Sequence, residues 1–68
     1  MNIMDRWAVN DRLRGLIAER MLENGEVLSH HSRSTEYVGI DRYTIRRFGR
    51  VWSLLYIDGM ACEIEAQD

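Results

Sequence analysis

The chain has 68 residues, 46% apolar and 29% charged, with a net charge of −2 at pH 7. This length predicts one small domain, residues 1–68, which buries only about 60% of the surface of its unfolded chain. The single cysteine, Cys62, excludes an internal disulfide and suits a reducing cytoplasm, and no run approaches the roughly 18 apolar residues of a membrane span. Because so short a chain lacks metal and disulfide staples, we expect extra burial from a partner or a second copy.

The clearest predicted helix spans residues 10–24, with Asn10 as its N-cap. Gly25 follows it and can end a helix in the left-handed conformation. Apolar residues before Asn10 predict a short helix there, with a break near Asn10, because a continuous helix would place Arg6 and Asn10 on the apolar side. One stripe of the 3.6-residue repeat is apolar, and its members are Leu13, Leu16, Ile17 and Met21.

The rest of the chain reads as strands. Asp58 and Gly59 separate two apolar runs and predict a two-residue hairpin turn, because both residues tolerate positive φ. A polar loop is expected from His30 to Ser34, and Gly39 could form a bulge. The predicted fold class is therefore α+β, with an N-terminal helix packed on an antiparallel sheet that ends in a three-stranded meander. The predicted strands are residues 26–31, 36–40, 43–47, 51–57 and 60–66.

The Asp58–Gly59 turn predicts which side chains share a face of the meander, because side chains alternate along a strand. Leu55 should then face Cys62, and a one-residue slip would bring Glu63 and Glu65 onto the apolar face, so we expect the register to hold. That apolar face should lie under the helix. The predicted core is Leu13, Leu16, Ile17, Met21, Val51, Leu55, Ile57, Cys62 and Ile64.

The opposite face of the meander is predicted to be an interface. A two-residue Gly49–Arg50 turn, favoured over a three-residue turn, places Ile45 there with several aromatic residues, and so large an apolar patch predicts a homodimer. Internal pairing of Arg46 or Arg47 with Glu63 or Glu65 is the ordinary alternative for these arginines. The predicted partner-binding residues are Tyr43, Arg46, Arg47, Arg50, Trp52, Leu54 and Tyr56.

No motif indicates catalysis, a metal or another cofactor. His30 and His31 are adjacent, so in an extended segment they point to opposite sides and are poor joint metal ligands; solvated loop histidines are the expectation. Cys62, on the apolar face, should be a small core residue. Arginines interleave with aromatic residues between Arg42 and Arg50, which is typical of nucleic-acid binding, although the acidic last strand opposes it. We therefore expect a non-catalytic protein-binding module, with a small nucleic-acid-binding regulator as the alternative.

The stretch YTIRRFGRVW, from Tyr43 to Trp52, is followed by the Asp-Gly turn and a strand that contains Cys62. This segment, about residues 43–66, resembles a segment of small uncharacterised proteins of proteobacterial phages and mobile elements. The basic C-terminal end usual in those proteins is replaced here by Glu63, Glu65 and Asp68. The resemblance implies a phage-type inhibitor, anti-CRISPR-like or otherwise, that binds and blocks a host protein or ribonucleoprotein complex. It implies no functional residues.

Overall fold

The computed structural model describes the backbone of residues 3–67 and the side chains of residues 12–67. One helix precedes a four-stranded antiparallel sheet whose strands are ordered as in the sequence. The α+β prediction, with a helix on an antiparallel sheet, is therefore confirmed. No helix in the described part of the chain is both long and apolar enough to cross a membrane. The elements are α1 (Ile3–Asn24), β1 (Glu26–Ser34), β2 (Gly39–Arg47), β3 (Arg50–Ile57) and β4 (Met60–Ala66).

Helix α1 is continuous from Ile3 to Asn24, so the predicted break and N-cap at Asn10 are wrong. Gly25 ends the helix, as predicted, but not in the left-handed conformation. Its N–H donates to the Met21 carbonyl at 2.8 Å. A Cβ at this position would collide with the Ile45 side chain and the Met21 carbonyl oxygen. Gly25 is therefore required because the helix end lies directly against β2, and one residue suffices to connect α1 to β1.

The side of α1 that faces the sheet differs from the predicted stripe. Ala18 is fully buried and Met21 is 8% exposed, with Leu22 packed beside them. Three predicted core residues instead lie largely in solvent, because the buried line is displaced by about one residue around the helix, which corresponds to roughly 100°. The small side chain of Ala18 at this line lets the helix approach large side chains on the sheet. The displaced residues are Leu13, Leu16 and Ile17, with exposed fractions of 51%, 53% and 49%.

The first hairpin is longer than predicted. Strand β1 continues to Ser34 through the segment expected to be a polar loop, and β2 runs without interruption from Gly39. Residues 36–38 form the connection instead of a strand, because the Thr35 hydroxyl accepts the backbone N–H groups of Tyr37 and Val38 at 3.2 and 3.1 Å. The register shifts at Leu28 in β1 and at Cys62 in β4, and not at Gly39.

Two turns with paired positive φ values join the last three strands. The Asp58–Gly59 turn is confirmed, with φ values of 51° and 81°. The turn between β2 and β3 consists of Phe48 and Gly49, with φ values of 55° and 72°, and not of Gly49 and Arg50. It pairs Ile45 with Trp52. The five residues predicted to share a face therefore do share one, but the pairing of β2 with β3 differs from the predicted pairing. They are Tyr43, Ile45, Trp52, Leu54 and Tyr56.

The helix covers the opposite face of the sheet from the one predicted. Ile45 and Leu54 are fully buried, and the residues packed against this core include Tyr43, Trp52, Tyr56 and Ile64. The extra residue Cys62 changes the alternation of β4, so that Leu54 pairs with Ile64 and Leu55 with Glu63. Of the predicted core, Met21 and Ile64 contribute to the observed one. Val51, Leu55 and Ile57 lie partly exposed on the face away from α1.

Candidate functional site

The seven predicted partner-binding residues do not form one surface. Leu54 has no exposed surface, and Tyr43, Trp52 and Tyr56 are half-buried against the core beneath α1. Because β2 alternates, Arg46 lies on the other face, where its Nη1 is 3.4 Å from Glu26 Oε2 and not beside Glu63 or Glu65. Arg47 and Arg50 flank the turn between β2 and β3. The prediction that the aromatic face is free for a partner is therefore wrong, since the helix occupies it.

An apolar ridge on α1 is a surface that the sequence did not predict. We call Leu13, Leu16 and Ile17 the helix ridge; each side chain is about half exposed. A groove of about 470 Å³ lies between Leu13, Ile17 and β4, where Ile64 contributes to its lining. A second groove of about 620 Å³ lies beside Leu16 and extends to the Asp58–Gly59 turn. The i, i+3, i+4 spacing of the ridge matches the anchors by which a helix binds in a groove of another protein.

The second groove contains a buried hydroxyl group. Tyr56 lines this groove, and its hydroxyl oxygen has no hydrogen-bond partner within the described chain. The pKa of Tyr56 is raised above its ordinary value of 10.0, chiefly because burial disfavours the phenolate and also because Tyr43 and Glu19 lie nearby. The hydroxyl therefore stays protonated at physiological pH, and its oxygen is buried from solvent.

The tip of the β2–β3 hairpin, residues 47–50, carries an exposed aromatic ring. Phe48 is 82% exposed and adopts a left-handed φ of 55°, which is unusual for a bulky residue. The Arg47 guanidinium carbon lies 4.5 Å from the centre of its ring, and that of Arg50 lies 5.4 Å from the Trp52 ring. Backbone strain of this kind often occurs at functional sites, because a turn selected for stability alone would have Asn or Gly there.

A polar cluster on β1 and β2 was missed by the sequence analysis, which placed both histidines in a loop. The Nε2 atom of His30 lies 2.9 Å from Asp41 Oδ1, and the His30 ring stacks on Tyr43 with centroids 4.1 Å apart. Hydrogen bonds from His30 and then Ser32 lower the pKa of Asp41. His31 pairs with Arg42, on the other face, as expected for adjacent strand residues. The cluster is exposed, so it fastens β1 to β2 and forms no enclosed site.

Cys62 lies at the irregularity in β4 and not in the core. It is half-buried, its thiol donates to the Met60 carbonyl oxygen at 3.4 Å, and it borders both grooves beside α1. Among the described residues, no three His, Cys, Asp or Glu side chains are grouped so that they could hold a metal ion.

The sheet face away from α1, which we call the open face, has an ordered pattern of charge. Its middle strand β3 contributes Val51, Ser53, Leu55 and Ile57. On one side of this column β2 presents Arg42 and Arg46, and on the other side β4 presents Glu63 and Glu65. Neither Arg42 nor the two glutamates have an ion-pair partner within the described chain.

Comparison with known proteins identifies no relative. No protein-family model, no curated protein and no solved structure matches this chain. The assignment of a function therefore depends on the surfaces described above.

Proposed function

We propose that this chain is a non-catalytic protein-binding module that acts in the cytoplasm, and that the helix ridge is its contact with the partner. The observation that carries the proposal is the half-exposure of Leu13, Leu16 and Ile17 on a well-formed helix. Apolar side chains at consecutive turns of one helix side are energetically useful once another protein covers them. The partner is a protein with an apolar groove.

The grooves on both sides of the ridge support this contact. They let a partner contact the sides of the helix as well as its outer surface. Arg12, Arg20 and Glu23 are exposed on the same helix and provide a charged rim. An apolar centre with a charged rim is the usual anatomy of a protein interface.

The inhibitory direction of this proposal comes from the resemblance of residues 43–66 to phage and mobile-element proteins. A chain of 68 residues that binds through one helix can block a host protein or ribonucleoprotein complex by occupying the groove that another ligand uses. The proposal is thus a phage-type inhibitor that acts by occlusion.

The test is capture from a host lysate by the immobilised chain, before and after nuclease treatment. Leu16→Glu places a charge at the centre of the ridge and should lower retention of the partner by about 30-fold, as expected for a buried anchor. Leu28→Glu is the matched control, because Leu28 is a 40% exposed leucine in β1, away from the ridge. A partner that Leu16→Glu retains as well as the wild type does would refute the proposal.

A nucleic-acid-binding regulator remains the second candidate, since the hairpin tip supports it. Arg47 and Arg50 provide positive charge, and the exposed Phe48 ring provides a surface on which a base can stack. Affinity for a labelled single-stranded oligonucleotide should then fall steeply between about 50 and 200 mM salt, and Phe48→Asn should weaken it. Binding that depends on Leu16 and survives nuclease would exclude this candidate.

A further inference from the structure

The open face is too apolar to be an ordinary solvent-exposed surface. Val51, Leu55 and Ile57 form a partly exposed apolar column on β3, on the face away from α1, and Ile57 also borders the second groove beside the helix. Ile40 and Met60 extend this apolar surface on either side of Ile57. The Met60 side chain is 69% exposed. A sheet with one face under a helix ordinarily presents polar side chains on the other face, so this column indicates a covering partner.

The amount of exposed surface also indicates association. The chain exposes 5372 Å², whereas a monomeric globular protein of 8.0 kDa exposes roughly 4,450 Å². The surplus of about 900 Å² belongs to the whole chain, helix ridge included, and is close to the roughly 800 Å² that each partner contributes to a stable interface. The flat shape, 36 × 36 × 20 Å, supplies broad faces for such a contact.

We propose that the open face binds the open face of a second copy of this chain, with a two-fold axis parallel to β3. Rotation about that axis places β3 on β3 of the second copy, so that the apolar columns pack against each other. It also places β2 of each copy over β4 of the other. Arg42 then lies across from Glu63 of the second copy, and Arg46 lies near Glu65 of the second copy.

The charge pattern selects this axis and this occupant. A two-fold axis in the plane of the interface but perpendicular to the strands would place arginines over arginines and glutamates over glutamates, which is unfavourable. A nucleic acid on this face would meet Glu63 and Glu65 at close range. A second copy, related by this axis, presents a glutamate opposite Arg42 and an arginine opposite Glu63 at the same time. Two sheets packed in this way lie about 10 Å apart.

This dimer is compatible with the proposed function but does not depend on it. The two open faces become the centre of a four-layer assembly, and both α1 helices lie on the outside with the helix ridge accessible. The dimer also covers Arg42 but leaves the hairpin tip exposed.

The test uses two variants of opposite charge, Arg42→Glu and Glu63→Arg, followed by sedimentation equilibrium. Each variant alone places two pairs of like charges across the two-fold axis, so we expect self-association to weaken by about 100-fold. Mixed in equal amounts, the two variants restore both pairs, and the mixture should form a 1:1 dimer within about threefold of the wild-type affinity. Formation of the mixed dimer also demonstrates that both variants are folded.

The matched controls are Arg20→Glu and Glu23→Arg, which change the net charge equally at exposed positions of α1. They should leave the dimer unchanged. If Arg42→Glu or Glu63→Arg does not fold, Arg42→Gln and Glu63→Gln replace them. Each neutral variant should weaken the dimer about tenfold, and the double variant should weaken it no further, because the two residues share one contact.

Three results would overturn the proposal. The first is a wild-type chain that remains monomeric at about 1 mM, a concentration at which even a weak interface is occupied. The second is a dimer that both charge variants leave intact. The third is a dimer that Leu16→Glu abolishes while Arg42→Glu does not, since this result would place the contact on the helix ridge.

Discussion

The two faces of the sheet both carry large apolar side chains, but only one carries aromatic rings. The face under α1 contains Trp52 and Tyr56 beside Leu54, while the open face has Leu55 among other aliphatic residues. The helix covers the aromatic face, and it meets that face with small residues such as Ala18 and Gly25. The face that became the core is distinguished from the open face by its large aromatic side chains.

The strongest test of this comparison uses the adjacent residues Leu54 and Leu55. Leu54→Ala should lower the free energy of unfolding by about 2–5 kcal/mol, because it leaves a cavity under the helix. That loss is comparable to the whole stability expected for so small a domain. Leu55→Ala should cost less in the monomer, about 1–2 kcal/mol, since Leu55 is partly exposed on the open face. Urea unfolding, at a protein concentration too low for dimers to form, measures both losses of stability. Equal losses would contradict the assignment of the two faces.

The next test compares Gly15, within α1, with Gly25, at the C-terminal end of the helix. Gly25→Ala should destabilise the fold by about 1–3 kcal/mol, because its Cβ would collide with Ile45 and with the Met21 carbonyl. Gly15→Ala should stabilise it by about 0.5–1 kcal/mol, since no atom lies within 4 Å of the added carbon and alanine favours helix. Thermal unfolding of the two variants should therefore shift in opposite directions. A shift of both in the same direction would show that the helix does not approach β2 closely.

A smaller effect is expected at the turn that sets the register of β2 and β3. Phe48→Asn should stabilise the monomer by about 0.5–1 kcal/mol, because asparagine tolerates the positive φ of 55° and the Phe48 side chain contributes little buried area. Asp58→Asn is the comparison, because aspartate already suits the conformation of its turn. This substitution also weakens the hydrogen bond from the Gly39 N–H to the Asp58 side chain. Chemical denaturation measures both changes. A destabilised Phe48→Asn variant would mean that the ring contributes to the fold.

The smallest expected effect on stability is at Asp41, which lies on the same face of the sheet as α1 but beside the helix. Because His30 and Ser32 lower the pKa of Asp41 below its ordinary 3.8, the folded state favours the ionised carboxylate. The resulting stability is fully present above the ordinary pKa and is lost as the pH falls through the lowered folded value. Asp41→Asn should therefore be less stable than the wild type at neutral pH, and the two should converge in strong acid.

The control for this titration is Glu36→Gln, an exposed loop position. Its difference from the wild type should not show the same convergence. Unfolding free energies measured from about pH 2 to pH 7 report both differences. A constant difference between Asp41→Asn and the wild type across that range would show that the His30–Asp41 contact does not form in solution.

Local signals in the sequence predicted local structure well. The Asp58–Gly59 turn, the end of the helix before Gly25 and the α+β class all follow from short segments whose chemistry allows few alternatives. The extra residue in β4 leaves no such signal, because Cys62 is an unremarkable strand residue in composition. When Cys62 is taken as a regular strand residue, the predicted alternation of the following residues is inverted. Glu63 and Glu65 are then assigned to the wrong face.

The candidate site was harder to predict for a related reason. The stripe formed by Leu13, Leu16 and Ile17 has a stronger hydropathy signal than the line through Ala18, so the pattern favoured burying the residues that are exposed. The His30–Asp41 pair joins residues 11 apart in sequence, and it becomes visible only when the pairing of β1 with β2 is known. A search for cross-strand partners in each register would have found it.

Both register irregularities lie in the outer strands, at Leu28 in β1 and at Cys62 in β4, while the central pair of strands is regular. An uninterrupted outer strand is a template on which further chains can add, and repetition of that addition leads to fibres. The two bulges interrupt the row of free N–H and C=O groups on each border of the sheet. Growth by strand addition is thus hindered at both borders.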